Sequence, residues 1–345
     1  MKLAAIAHAI PSRRLTNDDV VGILRAQNEG RFSPEELALL EHRLRTYLSA
    51  AGTAVRFCLA DSEKAIHLAV AAVRDALDTA GTAPEAVDFV IYCGVARGWI
   101  EPSTASAIQA AAGLPRATSF DVVDACAGWL RALELAQQLL RGGHYRCGLI
   151  VTGECGLYRH YLQAALTSAD ELEERLAAFT LGEATTATVV TDADPTIEAY
   201  IRLRTLPEYH RLCMIPLPNM PDFVPDAVGP PTTPHKFSCA SRDLLRAATR
   251  AIIDMFRADP VLAADRYDLC VGHSASQKAE QLITDRLGLT SVYYPMHARY
   301  GNTGSASIPL ALSVALREGR LRRGHRVLVI MGSAGITVGF GALTF

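Results

Sequence analysis

The chain has 345 residues, 50% hydrophobic and 20% charged, with a net charge of -2. This is an ordinary globular composition, long enough for one large or two mid-sized domains, and it excludes a dominant polyanion-binding surface. The eight cysteines are scattered without a CxxC pair or a close Cys/His group, so reduced thiols, no metal site and a cytoplasmic location are expected.

The apolar opening, MKLAAIAHAI, reaches Pro11-Ser12-Arg13-Arg14 after too few apolar residues for a secretory segment and reads as a strand. No stretch is long enough to span a membrane, and neither nucleic acid nor a membrane is expected as a partner. Residues 17–48 are helix-rich, with starts at Asn17-Asp18-Asp19 and Ser33-Pro34-Glu35-Glu36. A helix over 62–80 follows, then a strand over 88–92, a loop with Gly94, Gly98 and Pro102, and a helix over 103–112 closed by Gly113.

Val122 and Val123 then lead into Asp124-Ala125-Cys126-Ala127-Gly128, and Leu130, Leu133, Leu135 and Leu139 mark a helix before an apolar strand over 148–152. Cys126 therefore sits at a strand-to-helix turn, where unpaired N–H groups and a partial positive charge favour a thiolate. A buried structural cysteine fits the same position. Residues 158–179 read as an amphipathic helical insertion before a strand over 181–191. Pro207 to Pro234 holds eight of the 17 prolines with Tyr209, Met214, Met220 and Phe223, and reads as a lid or entrance wall.

The plan then repeats. A helix over 241–256 precedes a strand over 267–271, the loop Gly272-His273-Ser274, and a helix over 275–286 closed by Gly288. A strand over 292–294, the loop Arg299-Tyr300-Gly301-Asn302-Thr303-Gly304, a helix over 307–318 and another strand echo the stretch around Cys126. The turn Arg141 to Arg146 before GLIVTG resembles Arg322 to Arg326 before VLVIMGS. Two similar α/β halves are expected: 1–191, with the insertion at about 156–179, and 235–345, joined by a proline-rich loop or lid over 192–234.

Cys126, His273 and Asn302 all fall in loops at the carboxyl ends of strands, where open α/β folds keep their sites. A thiolate can take an acyl group from a thioester, splitting one hard transfer into two easier ones. It then needs oxyanion donors, which a helix start and the turn Gly332-Ser333-Ala334-Gly335 can supply. His273 can act as base or donor, whereas the Asn302 amide can donate without titrating. His144 and His325 lie in matching turns at the other end of the sheets and read as structural; His297 remains open. No GxSxG elbow, GxGxxG or phosphate-binding loop competes.

These residues resemble the thiolase superfamily, and within it the β-ketoacyl-[acyl carrier protein] synthase III group, over nearly the whole chain. Asp124 to Gly128 is similar to that family's nucleophile motif, Gly301 to Leu310 to its asparagine loop, and Pro102 to Ser106 to the segment before an active-site helix. The resemblance implies a duplicated, five-layered αβαβα thiolase-like fold, a homodimer, no cofactor, and a Cys126-His273-Asn302 site at the end of a tunnel for the pantetheine arm of CoA or acyl carrier protein. It also implies that the backbone N–H groups of Cys126 and Gly335 form the oxyanion hole. Trp99 and Glu101 would contact the substrate pocket or the partner subunit.

Three features depart from the pattern. His273-Ser274-Ala275-Ser276 replaces His-Gln-Ala-Asn, no tryptophan occurs between residues 30 and 56 to stack a CoA adenine, and Glu101 stands where an apolar side chain is usual. The expected function is acyl loading on Cys126 followed by decarboxylative condensation with a malonyl-type thioester in a specialised fatty-acid or polyketide pathway. The alternatives are transfer to a small-molecule hydroxyl or amine acceptor, and a non-catalytic partner in a heterodimeric synthase.

Overall fold

A computed structural model describes residues 1–192, 199–224 and 234–345. In chain order its strands are β1 (Lys2–Ala9), β2 (Arg13–Thr16), β3 (Val55–Cys58), β4 (Phe89–Tyr92), β5 (Thr118–Asp121), β6 (Cys147–Gly153) and β7 (Thr185–Thr191). They continue with β8 (Tyr200–Thr205), β9 (Cys213–Met214), β10 (Ser238–Cys239), β11 (Leu269–Gly272), β12 (Arg326–Ser333) and β13 (Thr337–Thr344). One sheet runs β1-β7-β6-β4-β5 and another β11-β12-β13-β8, while β2 pairs β3 and β9 pairs β10 as short ribbons.

Twofold alternation in buried strands decides the layering. Phe89, Ile91, Ile150 and Val190 meet Trp129, Leu133, Ile308 and Leu312 of the helices Gly128–Arg141 and Ser307–Arg317. Their neighbours Val90, Tyr92, Leu149 and Val189 face the opposite way, onto the helices Ala65–Ala80 and Thr104–Ala112. In the second sheet Val271, Val327, Val329 and Leu343 meet the same two central helices. Cys270, Leu328, Ile330 and Phe340 instead cover the helices Ser241–Ala258 and Gln277–Leu287. The order is helix, sheet, helix, sheet, helix, the five-layered arrangement expected.

The two sheets repeat one pattern. β4 to β6 is parallel and β6 to β7 and β7 to β1 antiparallel; β11 to β12, β12 to β13 and β13 to β8 match these in turn. The similar turns before β6 and β12 are tied alike: Asp88 Oδ2 accepts from Arg146 N, and Asp268 Oδ2 from Arg326 N, each at 2.7 Å.

Two expectations change. Tyr200–Thr205, placed in the connecting loop over 192–234, is an edge strand of the second sheet. Its Ile201 and Leu203 face the core while Arg202 and Arg204 face outward, so the alternation is that of a one-sided strand. The strand expected over 292–294, the echo of β5, is a single bridge from Tyr293 to Cys270, because Pro295 has no N–H with which to extend the ladder.

The insertion folds as the short helices Leu157–Tyr161 and Glu171–Arg175. Leu162, Leu166, Leu172 and Leu176 bury against Val20, Leu24, Leu40 and Leu44 of the helices Asn17–Asn28 and Pro34–Ala51. Capping boxes at Thr16/Asp19 and Ser33/Glu36 start those two helices. Residues 193–198 and 225–233 of the expected loop or lid lie outside the described residues. Among the described residues no helix is long and apolar enough to cross a membrane.

Candidate active site

From β5 the chain passes through a single helical turn, Ala125–Ala127, into the helix Gly128–Arg141. Ala125 has φ +44°, a left-handed conformation that costs a non-glycine residue about 1–3 kcal/mol and persists only when its surroundings impose it. The surroundings do so. Asp124 pairs with Arg131 Nε at 3.1 Å, and the Ser333 hydroxyl donates to Asp124 O at 3.3 Å while accepting from Ala127 N at 3.2 Å. Gly128 allows the turn to lie against Cys93, where an added Cβ would stand 3.2 Å from the Cys93 Cβ. The turn presents Cys126, half-buried, to a largely apolar cavity of about 300 Å³. Burial pushes its thiol pKa up, with Cys213 and Glu154 adding to the effect and the Ser333 hydrogen bond opposing it. The helix start also favours the thiolate.

His273 and Asn302 line the same cavity. His273 follows β11, and its Nδ1 lies 3.2 Å from Ser307 Oγ. Burial pulls its pKa down to about 4, helped by His297 and opposed by a hydrogen bond with the Gly304 backbone, so the ring is neutral at ordinary pH. Asn302 is held from both sides: its N–H donates to Thr180 O and its carbonyl accepts from Gly182 N, each at 2.8 Å. Its Oδ1 accepts from Gly304 N at 3.0 Å, which leaves the amide NH2 free to donate.

His297 is structural. It is fully buried, its Nδ1 donates to Ser274 O at 2.9 Å and its Nε2 accepts from the Thr53 hydroxyl at 2.6 Å. Gly332, Ser333 and Ala334 of the glycine turn line the cavity, and Gly335 is not among the lining residues. Trp99 and Glu101 do not line their own chain's cavity. They sit on an exposed loop beside Ile100, which is 73% exposed, and Asp121 anchors that loop by accepting from Thr104 N and Ala105 N at 2.8 and 2.9 Å.

Several cavity residues were missed in the sequence. Glu154, fully buried at the end of β6, accepts from the N–H groups of Val95, Ala96 and Ser305 and from the Ser305 hydroxyl. It binds the loop before the Thr104–Ala112 helix to the loop after Asn302. Cys213 and Cys239 also face the cavity, and nothing in their spacing marks them as neighbours. Among the described residues no group of three or more His, Cys, Asp or Glu side chains is placed to hold a metal ion.

Behind His273 lies a side chamber of about 60 Å³ lined by Glu280, Tyr293 and apolar residues of the two outer helices. Ser274 Oγ donates to Glu280 Oε1 at 2.9 Å, and burial pushes the Glu280 carboxyl from 4.5 up to about 7. A carboxyl raised on folding contributes stability below pH 4.5 that is lost as the pH rises through 7. At about 1.4 kcal/mol per pH unit the span amounts to ~3 kcal/mol. Glu280→Gln, which never ionises, is expected to unfold at a higher temperature than wild type above pH 7 and at the same temperature below pH 4.5. Parallel pH curves for the two proteins would show that Glu280 does not titrate in the fold.

Comparison with known proteins gives a consistent result. Residues 120–202 match the family model of 3-oxoacyl-[acyl-carrier-protein] synthase III, and residues 259–345 match its C-terminal model. β-Ketoacyl-[acyl-carrier-protein] synthase III of Symbiobacterium thermophilum is 29% identical over 350 residues, covering 99% of this chain and 97% of the relative. That of Acidiphilium cryptum is 28% identical over 332 residues, covering 92% and 97%. Among solved structures, a variant of Xanthomonas campestris OleA with bound lauric acid and lauroyl-CoA superposes with a TM-score of 0.82 at 22% identity, covering 99% of this chain and 98% of that one. The Aquifex aeolicus 3-oxoacyl-[acyl-carrier-protein] synthase III gives 0.79 at 22% identity, covering 100% and 99%. With the duplicated five-layered fold, these matches make the chain a ketosynthase III-like protein of the thiolase superfamily.

Proposed function

We propose that this chain is an acyl-thioester condensing enzyme that loads an acyl group on Cys126 and joins it to a carbanion generated from a second thioester. The convergence of Cys126, His273 and Asn302 on one apolar cavity carries this reading. The thiol attacks the thioester carbonyl, and the N–H groups of Cys126 and Ala334 receive the oxyanion. In the tautomer that has Nδ1 accepting from Ser307 Oγ, His273 Nε2 carries the proton, and with Asn302 Nδ2 it forms a pair of donors for an enolate oxygen. A ring held at about 4 is a weak base, so His273 is better suited to stabilise an enolate formed by loss of CO2 than to deprotonate a carbon acid, an alcohol or an amine. This favours decarboxylative condensation over transfer to a hydroxyl or amine. The experiment is a chase of acylated protein with malonyl thioester: CO2 release with a β-ketoacyl product supports it, and acyl transfer to an alcohol or amine without CO2 refutes it.

One observation favours a second reading. In a homodimer that buries the exposed loop of Trp99, Ile100 and Glu101, the Glu101 carboxylate would enter the partner's cavity and supply the base that His273 lacks. Condensation would then need no CO2 loss. A carbon–carbon product from acyl thioester alone, abolished by Glu101→Gln, would establish this route.

The carrier approaches over a cationic groove. Arg242, Arg246, Arg250 and Arg257 of one outer helix face Lys278 and Arg286 of the other, and Ser276 joins the groove to the chamber behind His273. Arg242, Arg246 and Lys278 form no ion pair among the described residues. Such a groove suits a carrier bearing phosphate or an acidic surface. Reversing charge in Arg246→Glu with Lys278→Glu is expected to raise KM for carrier-protein thioesters about tenfold, without changing kcat or the KM of a short neutral thioester. An equal rise for both substrates would remove the groove from carrier recognition.

A further inference from the structure

We propose that Cys213 and Cys239 are a reversible disulfide site in the wall of the acyl cavity, and that closing this bond restricts acyl loading. The two residues stand directly opposite in the antiparallel ribbon β9/β10. Ala240 N donates to Leu212 O at 2.8 Å, which makes 212/240 a hydrogen-bonded pair. By the alternation of antiparallel ladders 213/239 is then a non-hydrogen-bonded pair, the kind whose Cα atoms are about 4.5 Å apart and whose side chains lie closest. Disulfides span Cα separations of roughly 4.4–6.8 Å, so the backbone is already in range. Both thiols are free, and both face the cavity that holds Cys126. Among the described residues no other two cysteines face each other in a strand register.

The ribbon is a working part of the cavity. Met214 of β9, the adjoining Ile215, and Phe237 just before β10 line it, and β10 leads into the helix whose Leu244, Leu245 and Ala248 complete the same wall. Joining the sulfurs draws the two strands into one fixed geometry and removes the adjustment that an entering acyl chain needs. The reaction is a two-electron exchange with a small disulfide such as oxidised glutathione. Each cysteine gives up a proton and an electron, the S–S bond forms through a mixed disulfide, and two molecules of the small thiol leave. The neighbouring Cys239 thiol and burial push the Cys213 pKa up, so exchange is slow and its equilibrium is the quantity to measure.

The full-length protein is equilibrated in a series of reduced and oxidised glutathione mixtures, quenched in acid, alkylated, and followed by intact mass and peptide mapping. The expected result is one cooperative loss of two thiols, mapped to a peptide joining Cys213 to Cys239 and reversed by dithiothreitol, with Cys126 still open to alkylation. Cys213→Ser and Cys239→Ser, made separately so that one misfolded variant does not decide the matter, each lose the transition, and Cys126→Ala keeps it. Loading of Cys126 by a medium-chain acyl thioester is expected to be about tenfold slower in the oxidised protein, because small misplacements of a bound reactant cost that much or more. No bond at any glutathione ratio, a bond to Cys126 instead, or equal loading in both redox states overturns the proposal. Only the loading arm rests on the acyl-transfer reading. A mapped bond in a protein that never acylates Cys126 when reduced would sink that reading while leaving the disulfide in place.

Discussion

Replacing Cys126 with alanine is expected to abolish the acyl adduct and to lower turnover by about three orders of magnitude or more, because the nucleophile and the covalent intermediate disappear together. The argument is geometric as well as chemical. Three free thiols line the cavity, Cys126, Cys213 and Cys239, and an acyl group could in principle rest on any of them. Only Cys126 lies in the first turn before a long helix, opposite the Ala334 turn, where N–H groups can receive the oxyanion. Cys213 and Cys239 lie in the two-residue strands of an antiparallel ribbon, and neither is in a helical turn. Intact mass spectrometry of wild type and Cys126→Ala with a panel of acyl thioesters checks this. An adduct of equal yield on the alanine variant would move the nucleophile elsewhere in the cavity. If Cys126→Ala instead left a heteromeric complex fully active, the chain would be a non-catalytic partner.

The sequence reveals these groups because of where the chain repeats itself. A duplicated strand–helix order puts equivalent loops at the same edge of two sheets, so Cys126, His273 and Asn302 could be placed near one another without coordinates. The five layers are what the resemblance to the thiolase superfamily implies, and the structure has them, with both faces of β4, β6, β11 and β12 buried. What stayed hidden depended on orientation or on long-range contact. His297, like His273, lies just before or at the start of a helix, and only its buried bonds to Thr53 and Ser274 mark it as structural. Gly332-Ser333-Ala334-Gly335 announces a tight turn without saying which of its residues face inward, and Gly332, Ser333 and Ala334 line the cavity. Glu154 is a lone acid after a strand until Val95, Ala96 and Ser305 are brought to it. Tyr200–Thr205 has a strand's alternation, but the proline-rich segment beside it obscures the pattern, and its pairing partner β13 lies more than 130 residues on.

Asn302→Ala is expected to divide the reaction, leaving acyl transfer to Cys126 within about threefold of wild type while lowering CO2 release from the malonyl thioester by about 100-fold or more. The first half follows because the oxyanion of the loading step is received by backbone groups that the substitution does not touch. The second follows because the amide is fixed before substrate arrives: its Oδ1 accepts from Gly304 N at 3.0 Å and the main chain on either side is tied to Thr180 and Gly182. A donor held in place spends no reorganisation energy when charge develops, and losing one such donor costs about 3–4 kcal/mol. His273→Ala removes the other donor and is expected to show the same division. Because burial holds His273 near 4 instead of 6.5, the decarboxylation rate should also stay flat with pH through the ordinary histidine range. An inflection near 6.5 that vanishes in His273→Ala would mean that the ring must change charge and acts as a base. Equal loss of acylation and CO2 release in Asn302→Ala would mean that the amide serves the oxyanion of both steps, and the two-donor account of the enolate would fail with it.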